Sequence, residues 1–483
     1  MLINYQANTF FDEMMDQSGN PKHHYKAFND IISKASAEEL QKRQERAQLH
    51  FLKQGITFNK DGDDAERTPP FDFVPIIIPE EKWKEVEKGL KQRVEALSHF
   101  LEDIYGEKKI IKEEVVPKEL IENSAYYNEE QAKGMDMPLS HPLFIAGIDL
   151  IRDENGEYRV LEDNLRNPSG ISYVYQNRQV IRKVYPELFE HYRVLPLENQ
   201  FKELEKALFS YAPDNASSSP QAVLLTTGIY NSAYYEHFFL AKQLGIELVE
   251  GSDLVVENDI VYKETTSGLE RVDIIYRRID DEDLDPEAFR SDSEVGVPGL
   301  MRAYHQGNVT ILNGVGIGAA DDKAIYAYVP EMIRYYLNEE PILKNVTTYF
   351  LRDSEQRDYV LKNLEKLVIK NVGSSGGDDM MIGPNASEEE LTTFRQKIQE
   401  NPNEYIAQPT IELSRAPALQ EGEFRPRHID LRIFAMKGKE INVLPGGLSR
   451  VALKEDNLVV NSSQGGGFKD IWITTSEGGK DDA

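Results

Sequence analysis

The chain has 483 residues, no cysteine, and 83 Asp and Glu against 55 Lys and Arg, a formal charge of −28. That length exceeds what one hydrophobic core supports and points to two or three domains, while the charge argues against nucleic acid or an anionic membrane as the main partner. Absent cysteine excludes disulfides, thiolate metal sites and a cysteine nucleophile; no run reaches the ~18 apolar residues of a membrane span and no secretory signal opens the chain, so a cytoplasmic protein is expected.

Residues 1–135 read as a mostly helical segment. Apolar residues recur at helical spacing from Ala37 to Phe51 and from Glu80 to Tyr105, and Ser36 with Glu39 has the form of a capping box. Asn59 to Pro79 reads as a turn-rich connector. Residues 136–212 hold a hairpin and a helix starting near Ser172, and the linker-like APDNASSSP follows from Ala212 to Pro220. Residues 213–320 alternate strands and helices: strand Ala222 to Thr226, helix Asn231 to Leu244, strands Ile246 to Val249, Val272 to Tyr276 and Val309 to Leu312. This predicts a small parallel α/β domain. Gly314, Gly316 and Gly318 lack the last glycine of a dinucleotide fingerprint, which argues against a nicotinamide or flavin site. Residues 321–475 are expected to carry a helix from Lys323 to about Tyr336, strands Leu367 to Lys370 and Tyr405 to Gln408, and a hairpin of Ile429 to Met436 with Glu440 to Leu444. Residues 476–483 read as a polar, disordered tail.

The densest chemistry lies in GIDLIRDENGEYRVLEDNLRNPSG, residues 147–170. Asn155-Gly156 is a strong hairpin signal, and a two-residue loop there would set Asp149 opposite Glu162 and Arg152 opposite Arg159. Asn164 follows Glu162 on the same face, while Ile148, Leu150 and Leu161 fall on the other. A solvated acidic face would give the same alternation. Facing carboxylates repel unless a cation lies between them, however, and an all-oxygen set of Asp149, Glu162 and Asn164 suits Mg²⁺.

Two glycine-rich loops suggest anion contacts. After the strand ending in Lys370, the backbone N–H groups of Gly373, Gly376 and Gly377 can approach phosphate oxygens closely, with Lys370 as a point charge. NSSQGGGFKD is a second such loop, with Lys469 as its cation. Arg278, beside Arg277 at a strand end, and Arg432 and Arg450 are further candidate anion contacts.

DDK at 321–323, VIK with GSSGG at 368–377, RHIDLRIF at 427–434 and LEDNLRNPSGISY at 161–173, with the acidic pair placed early, resemble the circularly permuted ATP-grasp proteins related to glutathionylspermidine synthetase. The resemblance spans nearly the whole chain. It implies an α/β (α+β) fold: a circularly permuted ATP-grasp with an inserted parallel α/β domain and a helical N-terminal segment. It also implies ATP and Mg²⁺ as cofactors. Asp149, Glu162 and Asn164 would then hold metal, Lys323 and Lys370 would contact the phosphates, and Gly373, Ser374, Ser375, Gly376 and Gly377 would form a flap over them. Gln408 would lie at the adenine hinge, and Arg166 beside the transferred phosphoryl group. The superfamily's Lys-Pro is Lys370-Asn371 here, with Asp378-Asp379 behind it, an unfavourable place for carboxylates unless they turn away or bind metal. The implied activity is ADP-forming ligation of a small-molecule or peptide carboxylate to an amine through an acyl phosphate. A phosphotransferase and a non-catalytic nucleotide-binding scaffold are the alternatives. Oligomeric state is not legible in the sequence.

Overall fold

The computed structural model describes residues 5, 10–56, 70–124, 126–128, 142–372, 379–420, 422–452 and 466–475. The five flap residues 373–377, the connector stretch 57–69, most of the second glycine-rich loop and the tail lie outside them.

A nine-stranded mixed sheet organises the chain. Its central path runs Ile76–Pro79, Gly467–Thr474, Gly446–Val451, Glu423–Lys437, Ile145–Arg152, Tyr158–Asn164 and Lys344–Asn345. Strands more than 250 residues apart in sequence are thus direct neighbours: Ile145–Arg152 pairs antiparallel with Glu423–Lys437. One face is apolar. Ile148, Leu150, Leu431, Ile433 and Ala435 join one buried cluster with Leu90, Val94, Leu97 and Leu101 of the helix Glu80–Tyr105. That helix has the span its periodicity predicts, with Glu80 and Glu81 in the first turn, where the helix dipole favours negative charge. Ile76–Pro79, read as connector, is instead an edge strand parallel to Gly467–Thr474; its apolar run is too short to distinguish strand from loop.

A second, four-stranded antiparallel sheet orders Tyr349–Phe350, Tyr405–Pro409, Leu367–Asn371 and Met380–Ile382. Leu367, Ile369, Tyr405, Ala407 and Met381 bury one face against Phe394 and Ile398 of the helix Glu388–Glu400. Strand alternation therefore turns Lys370, Ile406 and Gln408 to the other face. The expected strands pair in parallel, in a four-stranded sheet ordered Thr310–Leu312, Ile274–Arg278, Ala222–Thr226, Glu247–Val249. An antiparallel meander, Leu254–Glu257, Ile260–Thr265 and Gly268–Arg271, was not anticipated. The expected helix from Lys323 breaks into Lys323–Tyr326, Val329–Met332 and a π turn at Ile333–Leu337, with Pro330 unable to continue the hydrogen-bond ladder of the first piece.

Lys469 is no anion contact. It is fully buried, its Nζ donating to Asp72 Oδ1 at 2.5 Å and to the Pro417 carbonyl at 2.8 Å. Lys469→Met strands the buried Asp72 charge and is expected to cost about 3–5 kcal/mol in urea unfolding. A loss of nucleotide affinity with unchanged stability would restore the anion-contact role.

Candidate functional site

The hairpin Ile145–Arg152 and Tyr158–Asn164 sets Asp149 opposite Glu162 and Gly147 opposite Asn164, as the sequence predicts, though not by the predicted route. The turn is longer, spanning Asp153 to Glu157, with Asp153 Oδ1 accepting from the N–H groups of Asn155 and Glu157. A bulge between the Asp149 and Leu150 pairings restores the register. Consequently Arg152 faces Tyr158, not Arg159, and the two arginines never oppose each other. They pair instead with Glu13 and Asp153. The bulge also leaves Leu161 half-buried beside the acidic face, while Val160 enters the core.

Asp163, on the opposite face from Glu162, accepts two bonds of 2.6 Å from Arg93 of the helix Glu80–Tyr105. This buried pair fixes which way the strand faces. Arg93 occupies a core-facing helical position between Leu90 and Val94, and an arginine in an apolar stripe was the only sequence signal of that role.

Two walls face each other. The polar side of the small sheet offers Lys370, Ile406 and Gln408; the other wall and its flank offer Leu161, Glu162, Asp163, Asp321, Lys323 and Tyr326. Lys323 Nζ lies 3.8 Å from Glu162 Oε1, with 16% and 30% of the two side chains exposed. Burial lowers the Lys370 pKa, opposed by Glu162 and reinforced by Lys323. Gln408 Nε2 donates to Thr348 Oγ1 at 3.1 Å. Asp379 turns away from Lys370, accepting from Lys397 at 2.6 Å and from the Tyr405 hydroxyl at 2.7 Å; Asp378 lies outside the described residues.

Asp149 is fully buried and accepts from Arg432 Nε at 2.7 Å, Arg432 Nη2 at 2.8 Å and Arg450 Nη2 at 2.7 Å. Burial opposes its charge, but the two guanidinium groups outweigh burial and bring its pKa down to about 2. Asp430, two residues before Arg432 and therefore on the same face, accepts from Arg450 Nε at 3.0 Å. Burial still raises the Asp430 pKa despite that cation. The period-two alternation of RHIDLRIF carried that signal, which the sequence reading missed.

Arg166 Nε donates to Asp321 Oδ2 at 2.7 Å, and its guanidinium lies 3.9 Å from the centre of the Tyr126 ring. Asp321 also accepts from the Leu165 N–H at 2.7 Å. Arg278 sits apart from this lining. It is buried and donates to Glu236 Oε1 and the Pro168 carbonyl, each at 3.0 Å. Its contacts hold the loop 168–170 whose Ser169 carbonyl accepts from Arg432 Nη1 at 3.3 Å.

Asn164 Nδ2 donates to the Gly147 carbonyl at 3.2 Å, which directs its Oδ1 away from that bond. The donor set of two carboxylates and one amide oxygen on one face fits a hard divalent cation. Among the described residues no three Asp, Glu or His side chains cluster as a metal site.

Two facing sheets, with carboxylates on one and a lysine on the other, define a class that the family comparison names: the chain belongs to the circularly permuted ATP-grasp type 2 family, whose model matches residues 75–452. At 47% identity it is similar to an uncharacterized protein of Synechocystis sp. over 475 residues, 98% of each chain. It is equally similar, at 47%, to an uncharacterized protein of Mycobacterium tuberculosis, covering 96% of this chain and 84% of that one. A putative glutamate–cysteine ligase 2-2 of Frankia casuarinae is 40% identical over 98% of this chain, which spans only 54% of that relative. The structure of a glutathione synthetase-like effector from Globodera pallida, in apo form, matches with a TM-score of 0.56 over 92% of this chain and 98% of that one. At 13% identity, that likeness is one of fold. No helix among the described residues is long and apolar enough to cross a membrane.

Proposed function

We propose that the protein is an ATP-dependent carboxylate–amine ligase that releases ADP and phosphate. The observation that carries this reading is the meeting of Glu162, Lys323, Lys370 and Gln408 in one cleft, from segments spread between residues 162 and 408. The 40% identical relative named as a putative glutamate–cysteine ligase supports the same reaction class.

In this reading Gln408 and Ile406 line the adenine end, and Lys323 and Lys370 neutralise phosphate oxygens. Asp149, Glu162 and Asn164 would hold Mg²⁺, which when bound offsets phosphate charge. A substrate carboxylate oxygen attacks the γ-phosphorus; the new O–P bond forms as the bond to ADP breaks. Arg166, held by Asp321 and stacked on Tyr126, steadies the acyl phosphate. The amine nitrogen then attacks the acyl carbon, inorganic phosphate leaves, and the amine gives up a proton. Such chemistry asks for positioned charge rather than a covalent nucleophile.

The test is ADP release across a panel of acid and amine pairs. Release that needs both partners and yields an amide is expected, and Lys370→Met is expected to lower kcat/KM for ATP by about 100-fold or more. A stable phosphorylated product without amide would select a phosphotransferase. Unchanged kcat/KM in Lys370→Met would remove that lysine from the site.

A further inference from the structure

Four cations, Lys323, Lys370, Arg432 and Arg450, converge on the acidic face opposite three carboxylates, Asp149, Glu162 and Asp430. The Arg93–Asp163 and Arg166–Asp321 pairs beside them cancel, so among the described residues this set carries one net positive charge before any ligand arrives. A lone divalent cation would add to that excess, whereas a nucleotide triphosphate carries more negative charge than one divalent ion cancels. Electrostatics therefore favour entry of the two together.

The two arginines are held differently. Arg450 is anchored by two carboxylates, Asp430 and Asp149. Among the described residues Arg432 has one carboxylate partner, Asp149, gripped by a two-point fork, and otherwise the Ser169 carbonyl at 3.3 Å. The fork takes up both oxygens of Asp149, which is wholly buried, while 12% of the Arg432 side chain remains exposed. Swinging Arg432 away still leaves Asp149 one arginine, so the carboxylate is not orphaned.

We infer that Arg432 is a counter-ion gate: its guanidinium closes Asp149 to divalent cations until anionic phosphates draw it off, so that metal and nucleotide bind as one event. This rests on the reading that Asp149 helps to hold the metal. Arg432 then serves twice, as a plug in the empty site and as a phosphate contact in the filled one. A bidentate guanidinium suits both a carboxylate and a phosphate. The resulting order protects the cleft from idle occupation by free metal.

Binding of Mn²⁺, followed by electron paramagnetic resonance with and without ADP, tests the gate on the full chain. Wild type is expected to bind Mn²⁺ weakly alone and at least about tenfold more tightly with ADP. Arg432→Gln is expected to tighten Mn²⁺ binding without nucleotide by about tenfold, and Arg432→Gln combined with Asp149→Asn to abolish that gain. Arg432→Lys keeps the charge in place, and its nucleotide-free Mn²⁺ affinity is expected to stay near that of wild type. If Arg432→Gln leaves the nucleotide-free affinity unchanged while Asp149→Asn weakens Mn²⁺ binding with ADP, the gate is overturned and the metal site stands. If Asp149→Asn has no effect even with ADP, the metal reading falls and the gate with it.

Discussion

Replacing Arg450 with methionine is expected to cost the fold about 3–5 kcal/mol at neutral pH, because it takes the paired cation from the buried Asp430. Asp149 keeps Arg432 and suffers less. The loss has a pH signature with a definite sign. Burial already holds the Asp430 pKa above the ordinary carboxylate value, and removing Arg450 raises it further. A group whose pKa is raised on folding binds its proton more readily in the native state, so it favours folding at low pH and opposes it as the pH rises. The deficit of Arg450→Met relative to wild type should therefore narrow from pH 7 to pH 5 in urea unfolding. Equal deficits at both values, or no deficit, would mean that Arg450 is not the counter-ion of Asp430. Asp149 behaves oppositely in the wild type. With its pKa at about 2 against an ordinary carboxylate value of 3.8, its pairing stabilises the fold above that value and is lost as the pH falls between the two.

Glu162→Gln should instead spare the fold and stop the chemistry. The side chain is partly exposed and its close ionic partner among the described residues is Lys323 at 3.8 Å, a pair worth little to stability. Turnover of ATP is expected to fall by about 100-fold or more, since the amide keeps the shape but loses the charge that would balance the proposed metal and the lysines. A melting midpoint within about 2 °C of wild type would separate this loss from misfolding. Full turnover in the variant would remove Glu162 from the proposed metal shell.

How legible this was depended on the range of the interaction. The Asp149–Glu162 facing could be read because strand alternation is strictly local, and it survived a wrong loop length only because the bulge offset the error. The parallel sheet was legible for the same reason, its strands being short apolar runs between turns. The facing of Lys370 and Gln408 toward Glu162 rests on pairings across the chain, and the family resemblance rather than the periodicity anticipated it. The pairing of Asp149 with Arg432 and Arg450 was not legible at all. No local pattern says that a carboxylate near residue 150 meets guanidinium groups near residues 430 and 450. Lys469 shows the converse failure. A lysine after glycines reads as an anion contact, yet its partner Asp72 lies almost 400 residues earlier in the chain.

In the proposed function the cleft between the two sheets is one metal-assisted nucleotide site. Thermal melting of wild type and Glu162→Gln with ADP, each with and without Mg²⁺, tests it most directly, because a ligand that binds only the folded state raises the midpoint by mass action. A rise in wild type that needs Mg²⁺ and vanishes in Glu162→Gln is the expected result. No rise with ADP under either condition, or an equal rise in the variant, would contradict it.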